Sequence, residues 1–408
     1  MRRTPKGLRT HIGIFGRRNV GKSSLLNAMT RQKVSIVSDF AGTTTDPVEK
    51  PMEMLPLGPV LFIDTAGIDD EGALGELRVQ KTQQVFKRTD LGILVTDGTW
   101  GPFEDQISTE LLSSQTPLVV VFNKIDKYPP SSEQVEQIRA QGLPCISTIA
   151  SLGEGILDLR NALLDAVPKE WLVDRPILGD LIQPGELVVF VVPIDKEAPK
   201  GRLIMPQVQS LRDSLDHDAI SMVVKERELR HALRMLKQDP KLVVTDSQAF
   251  LKVAGDTPRN IAMTSFSILF SRFKGDLMAQ AMGAAAIDDL QSGDRVLVAE
   301  SCSHHPIGED IGRVKIPRWI RQYTGSELQF DVTQGHDFPE DLSPYKLVIQ
   351  CGGCKWNRKE LISRIMQCQS QGVPISNYGL IIARSLGILE RALSPFPAVQ
   401  EAIRDALT

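Results

Sequence analysis

Residues 11–29, HIGIFGRRNVGKSSLLNAM, constrain the fold more tightly than any other stretch of the chain. The apolar run HIGIF reads as a short buried strand, Gly16 to Ser23 spell G-x-x-x-x-G-K-S, and SLLNAM continues at helical spacing. A strand that turns through a glycine loop into a helix opens a parallel sheet, so the expected fold class is α/β. Gly16 and Gly21 free the backbone to wrap an anion, with the N–H groups around Asn19, Val20 and Gly21 pointing inward. Lys22 then reaches the terminal phosphates of a nucleotide. Ser23 and Ser24 open the helix, and the Ser23 hydroxyl suits a magnesium ion.

Downstream motifs supply the other parts of a nucleotide site. VLFIDTAG ends a second apolar strand at Asp64, whose carboxylate suits the magnesium shell, and the Gly67 amide can meet the terminal phosphate. PLVVVFNKID ends a third run at Asn123, Lys124 and Asp126. A carboxylate there accepts from the N1 and N2 donors of guanine, and adenine would leave it unpaired, so the nucleotide expected is GTP. Between these motifs, AGTTTD holds Thr43 and Thr44. One of the two is expected to close on magnesium and the terminal phosphate and to relax after hydrolysis. Lys22 and Thr44 are therefore the catalytic candidates, and Ser23, Thr44 and Asp64 the magnesium candidates.

Taken in order, GRRNVGKSSLLNAM, GTTTD, DTAG and NKID resemble the small GTPases of the TrmE, Era and EngA group. The resemblance implies a hydrophobic residue after the DTAG glycine, here Ile68, which cannot orient an attacking water. Slow, partner-responsive hydrolysis of GTP to GDP and phosphate is the consequence. In potassium-dependent members the P-loop asparagine helps to seat a potassium ion beside the phosphates, a role open to Asn19. A turn-stabilising asparagine is the other reading of that residue. IASLGEG stands where a Ser-Ala base-contact loop is expected: Ala150 fits it, and Ile149 replaces the serine.

The length of 408 residues allows about three domains. The expected division is a P-loop GTPase domain over 1–168, a linker over 169–186, a small α/β dimerisation domain over 187–258 and an α/β cluster domain over 259–408. The linker is Pro- and Gly-punctuated with no sustained period. LVVFVVPID, AISMVVKE and KLVVTDSQAF are strand-like runs alternating with helical patterns, which suits a small sheet with a free edge, either a dimerisation module that makes a homodimer or a spacer. His217 and His231 fall on charged helical segments and are expected in solvent. With 42% hydrophobic and 24% charged residues the chain is of ordinary globular composition, and a net charge of −3 provides no general attraction to nucleic acid. No apolar run reaches about 18 residues, and HIGIFG interrupts any signal-peptide core after MRRTPKGLRT. A cytoplasmic protein with no membrane partner is expected.

RVLVAES runs into Cys302, and YKLVIQ runs into Cys351-Gly-Gly-Cys354. In an open parallel sheet the carboxyl ends of such strands share one edge, where ligands bind. Three thiols would then face one metal centre, either an iron-sulfur cluster or structural zinc, the remaining reading being an unligated core. Cys145 and Cys368 have the spacing of buried thiols, and with no export signal a disulfide framework is not expected.

Cys302-Ser-His304, a gap of 46 residues and Cys351-Gly-Gly-Cys354, carried behind a GTPase domain, resemble the HydF family of iron-only hydrogenase maturation GTPases over nearly the whole chain. The resemblance implies a 4Fe-4S cluster on Cys302, Cys351 and Cys354 with an exchangeable fourth position, for which His304 is a weak candidate. His305, His336, Glu309 and Asp310 are competitors for that position. It further implies a transient diiron subcluster, assembled with the radical enzymes HydE and HydG and delivered to the hydrogenase apoprotein HydA. Many members carry a histidine just before the C-x-x-C, where this chain has Gln350. The rival reading is a tRNA- or ribosome-associated GTPase with a zinc-stabilised accessory domain, which needs a basic RNA-binding face.

Overall fold

The computed structural model describes residues 4–30, 47–65, 82–168, 175–193, 203–301 and 310–407. Thr43, Thr44, Gly67, Ile68, Cys302, His304, His305 and Glu309 lie outside the described residues. The chain divides into two compact units, Met1–Asp174 and Arg175–Thr408.

The first unit is built on β1 (Thr10–Phe15), β2 (Val48–Met54), β3 (Gly58–Asp64), β4 (Leu91–Thr96), β5 (Leu118–Asn123) and β6 (Cys145–Thr148). They form one sheet in the order β2-β3-β1-β4-β5-β6, with β2 antiparallel to β3 and every other pair parallel. β4 and β5 are buried along their whole length, as strands covered on both faces must be, and their sequences LGILVT and LVVVFN are accordingly apolar runs without alternation. β2 is the edge, where Pro51 removes no ladder bond that the sheet needs. The helices Lys22–Thr30 and Ile156–Ala166 pack Leu25, Leu26, Leu159 and Leu163 on one face. Pro102–Ser113 and Ser132–Ala140 pack Ile107, Leu111 and Ile138 on the other.

The second unit carries two four-stranded parallel sheets. In the first, β7 (Leu187–Val191), β8 (Ile220–Val224), β9 (Leu242–Thr245) and β10 (Ala262–Ser265) run in the order β10-β9-β7-β8. In the second, β11 (Arg295–Glu300), β12 (Gln329–Gln334), β13 (Leu347–Gln350) and β14 (Ile375–Asn377) run in the order β12-β11-β13-β14. One apolar core joins the sheets, reaching from Val188 and Val244 through Phe266, Leu269 and Ala281 to Val296 and Ile349. The stretch expected as linker is held to this unit from residue 175 onward. Asp213 Oδ2 accepts from the N–H groups of Ile177, Leu178 and Gly179 at 3.0, 2.8 and 2.8 Å. β8 is an edge strand that exposes Ile220 and Val223.

Candidate functional site

The glycine loop follows β1 directly, and two of its positions admit only glycine. Gly16 has φ +141°, and a Cβ there would stand 2.2 Å from the Val95 carbonyl oxygen. Gly21 has φ +99°, and its Cβ would meet Asn123 Nδ2 at 2.2 Å. Lys22 opens the helix, is buried, and donates to the carbonyl oxygens of Gly16 and Arg17, each at 2.7 Å. Its ammonium is thereby held inside the loop. Ser23 Oγ donates to Asp64 Oδ2 at 2.7 Å, which joins the helix start to the end of β3, and Ser24 beside it is exposed.

Asp64 Oδ1 is buried and has no hydrogen-bond partner. Burial pushes the Asp64 carboxyl above the usual carboxylate range, against the downward pull of the Ser23 hydrogen bond and the Lys22 and Lys50 charges. An orphaned buried carboxylate oxygen beside a serine hydroxyl is a hard-oxygen donor set that suits magnesium.

Asn123, at the end of β5, ties the loops together. Its Nδ2 donates to Val20 O at 2.9 Å, and its Oδ1 accepts from Thr148 Oγ1 at 3.1 Å and from Ala150 N at 3.0 Å. Lys124 Nζ donates to Asn19 O, with both residues at positive φ, 60° and 62°. Asp126 is exposed beyond them. The loop after β6 is closed by paired backbone hydrogen bonds between Ile149 and Glu154, at 3.2 and 3.3 Å. The motif residues of the loop, of β3 and of β5 are thus assembled around one end of the sheet.

Sequence reasoning missed Glu104. It is fully buried, accepts from Arg17 Nε and Nη2 at 2.8 Å each, and caps its own helix by accepting from Gly101 N at 3.0 Å. The G-P-F-E spacing of a helix start could have announced the cap. Its partner in the glycine loop is a tertiary contact with no local signature.

In the second unit β11 and β13 are neighbours, so the ends of the strands that precede Cys302 and Cys351 in sequence lie side by side. Cys351 N donates to Ala299 O at 3.0 Å, and Cys351 Sγ accepts from Ser301 N at 3.1 Å and lies 2.9 Å from Ser301 Oγ. Ser301 immediately precedes Cys302. Among the described residues no group of three or more His, Cys, Asp or Glu converges as a metal site. Cys351 and Cys354 are free thiols, and burial pushes the Cys354 thiol up. Two thiols on a glycine turn, one of them receiving N–H donation at sulfur, make a donor set that suits a thiolate-ligated metal cluster.

The competing ligands within the described residues are engaged elsewhere. His336 Nδ1 pairs with Glu360 Oε1 at 2.6 Å, its ring stacked on Trp356, and Asp310 Oδ1 accepts from Arg313 N at 2.7 Å. Cys145 and Cys368 are buried, the latter with its thiol pushed up to about 12 by burial.

Three family models match the chain. Residues 11–124 match a 50S ribosome-binding GTPase domain, 177–275 the hydrogen maturase F dimerization domain and 278–395 the hydrogen maturase F tetramerization domain. GTPase Era of Nostoc sp. is 28% identical over 231 residues, which is 50% of this chain and 71% of that protein. The tRNA modification GTPase MnmE of Bacillus subtilis is 35% identical over 152 residues, 37% of this chain and 33% of that protein. The chain therefore spans only about a third of that relative's length. Among solved structures, Era of Aquifex aeolicus bound to GDP and AlF4− covers 56% of this chain and 98% of its own, at 22% identity and a TM-score of 0.35. The G domain of the FeoB iron transporter of T. maritima covers 39% and 98%, at 22% identity and a TM-score of 0.31.

The sheet order, the loop geometry and the curated relatives define the first unit as a P-loop GTPase domain, which works on GTP with magnesium. The second unit narrows the class. Its two matches together span more than half of the 408 residues, and the chain belongs to the hydrogen maturase F family. Both are oligomerisation domains, so self-assembly is part of its architecture. No described helix is long and apolar enough to cross a membrane.

Proposed function

We propose that this chain is a GTP-hydrolysing scaffold that holds a 4Fe-4S cluster on Cys302, Cys351 and Cys354. In this reading it receives a diiron precursor made with HydE and HydG, and passes it to the hydrogenase apoprotein HydA. The observation that carries the reading is the contact of Cys351 with Ser301 at the shared edge of a parallel sheet, one residue before Cys302. A cluster there would supply an iron position open to an external or bridging ligand, His304 being the weak internal competitor. Ser301 would orient the Cys351 sulfur through its N–H.

In the first unit Lys22 neutralises phosphate charge, Ser23 and Asp64 hold magnesium, and Thr44, or Thr43 in its place, completes the shell. Asp126 reads guanine, Asn123 and Ala150 support the base loop, and Asn19 is the potassium candidate. Ile68 offers no group to orient water, so turnover is slow and set by partners. Nucleotide state governs partner release, and no redox step falls to this domain. The rival of an RNA-associated GTPase with a zinc domain has less to support it, because the net charge is −3 and the accessory region matches maturase F models.

The test is anaerobic reconstitution of the full chain with iron and sulfide, followed by metal analysis and electron paramagnetic resonance of the reduced protein. A 4Fe-4S signal that Cys302→Ala and Cys351→Ala each disturb is expected. Tightly held zinc with no such signal would overturn the scaffold reading and leave the GTPase intact.

A further inference from the structure

The helix Phe266–Lys274, FSILFSRFK, buries Phe266, Ile268, Leu269 and Phe270 together with the polar Ser271. Lys274 ends it and is itself only 2% exposed. A lysine at that depth normally frees its head to water, and this one does not. Its Nζ donates to Trp356 O at 2.8 Å and to Gly353 O and Cys354 O at 3.4 Å each, and lies 5.8 Å from the centroid of the Phe270 ring. An ammonium has three donors, and all three are used on the carbonyls of one turn, the turn that carries Cys354. The loop and the helix are tied a second time, because Arg358 Nη1 donates to Gly275 O at 3.1 Å.

Carbonyl dipoles satisfy the hydrogen bonds of a buried ammonium without neutralising its charge. No carboxylate pairs with Lys274 among the described residues; burial lowers its pKa from 10.5 to about 8, and the Cys354 side chain is the acidic group that opposes this shift. Burying an unmatched cation is unfavourable on general grounds, so a counter-charge belongs at this place. A cluster held by three thiolates is a net anion in both redox states and gains one more negative charge on reduction.

Resting on the cluster reading above, we infer that Lys274 is a positioning residue for the metal loop: it fixes the turn from Gly353 to Trp356 and supplies the buried positive charge that favours the reduced cluster. Two effects follow and are separable. Loss of the hydrogen bonds loosens the turn and lowers cluster occupancy. Loss of the charge alone leaves the turn in place and moves the midpoint potential to more negative values.

The experiment uses full-length chain reconstituted anaerobically as wild type, Lys274→Gln and Lys274→Met, with iron per chain, circular dichroism and a potentiometric titration followed by electron paramagnetic resonance. Lys274→Gln, which keeps amide donors, is expected to retain its iron with a more negative midpoint. Lys274→Met is expected to lose iron several-fold with an unchanged GTPase rate. Wild-type iron content and potential in both variants would overturn the inference, as would a Lys274→Gln midpoint that stays put or rises. If Lys274→Met does not fold, the Lys274→Gln midpoint decides. A wild-type chain that takes up no cluster would sink the underlying reading itself, and this inference with it.

Discussion

Asn123 Nδ2 donates to the Val20 carbonyl oxygen at 2.9 Å, across 103 residues of sequence, and so welds the base-recognition strand to the phosphate loop. The same side chain holds Ala150 N and Thr148 Oγ1 through Oδ1. Asn123→Ala strips three partners at once and leaves a buried carbonyl and a buried N–H unpaired, at about 1 to 3 kcal/mol for each orphan. The first unit should lose on the order of 3 kcal/mol of stability, and guanine nucleotide affinity should fall at least about tenfold. Urea unfolding and titration with a fluorescent GDP analogue measure the two effects. Wild-type values for both would show that the weld is dispensable.

Asp64 gives a prediction in which stability and function move oppositely. Its carboxyl is raised by burial, so the folded chain prefers the protonated form more than the unfolded chain does. Stability linked to this group is full below the ordinary carboxylate value and is lost as pH rises through the raised one. In magnesium-free, nucleotide-free protein, Asp64→Asn should therefore be at least as stable as wild type at pH 7.5, with the difference shrinking toward pH 4. Magnesium ligation is worth several kcal/mol to phosphoryl transfer, so GTP turnover should drop by on the order of 100-fold or more. A variant that is both less stable without magnesium and fully active would contradict the role given to this carboxylate.

What could be read from the sequence divides along a physical line. Phosphate and guanine recognition need fixed residue types at fixed spacing in contiguous loops, so Gly16 through Ser23, Asp64 and Asn123 to Asp126 stood out. The meeting of the two cysteine strands was also legible, because apolar runs that stop at a ligand residue must end at the same sheet edge. The strands β10, β12 and β14 were not, since AMTS and ISN are too short to show a period and QFDVTQ is a half-exposed edge. Glu104 and Lys274 were invisible for another reason. Locally one is a helix cap and the other a basic residue in a last helical turn, and only the tertiary fold brings them to Arg17 and to the Cys354 turn.

His11 predicts an acid sensitivity of the first unit. It sits buried in β1 with Nδ1 unpartnered and Nε2 3.2 Å from Lys6 O, and burial lowers its pKa from 6.5 to about 4. The folded state refuses a proton that the unfolded chain accepts. Stability tied to His11 is thus complete above pH 6.5 and is lost as pH falls toward about 4. The full difference would be roughly 3 kcal/mol. His11→Val removes the titration while keeping a strand-forming residue, so unfolding midpoints at pH 7.5 and pH 5 should lie closer together in the variant than in wild type. Equal pH slopes would show that the buried imidazole is not the acid-sensitive group.

The two glycines of the C-x-x-C turn should differ sharply although they are adjacent. Gly353 has φ +56°, and a Cβ on it would come within 2.7 Å of the Leu361 side chain, so alanine there meets both backbone strain and a packed neighbour. Around Gly352 a Cβ would find nothing within 4 Å. Left-handed backbone at a non-glycine residue costs about 1 to 2 kcal/mol, and Leu361 is buried, so the chain relieves both by shifting the turn and with it the Cys354 sulfur. Gly353→Ala should fold with unchanged helix content yet hold several-fold less iron after reconstitution, whereas Gly352→Ala should load like wild type. The comparison is internal, because both substitutions add one methyl group to the same loop. Equal iron contents in the two variants would mean that the turn between Cys351 and Cys354 does not set the metal geometry.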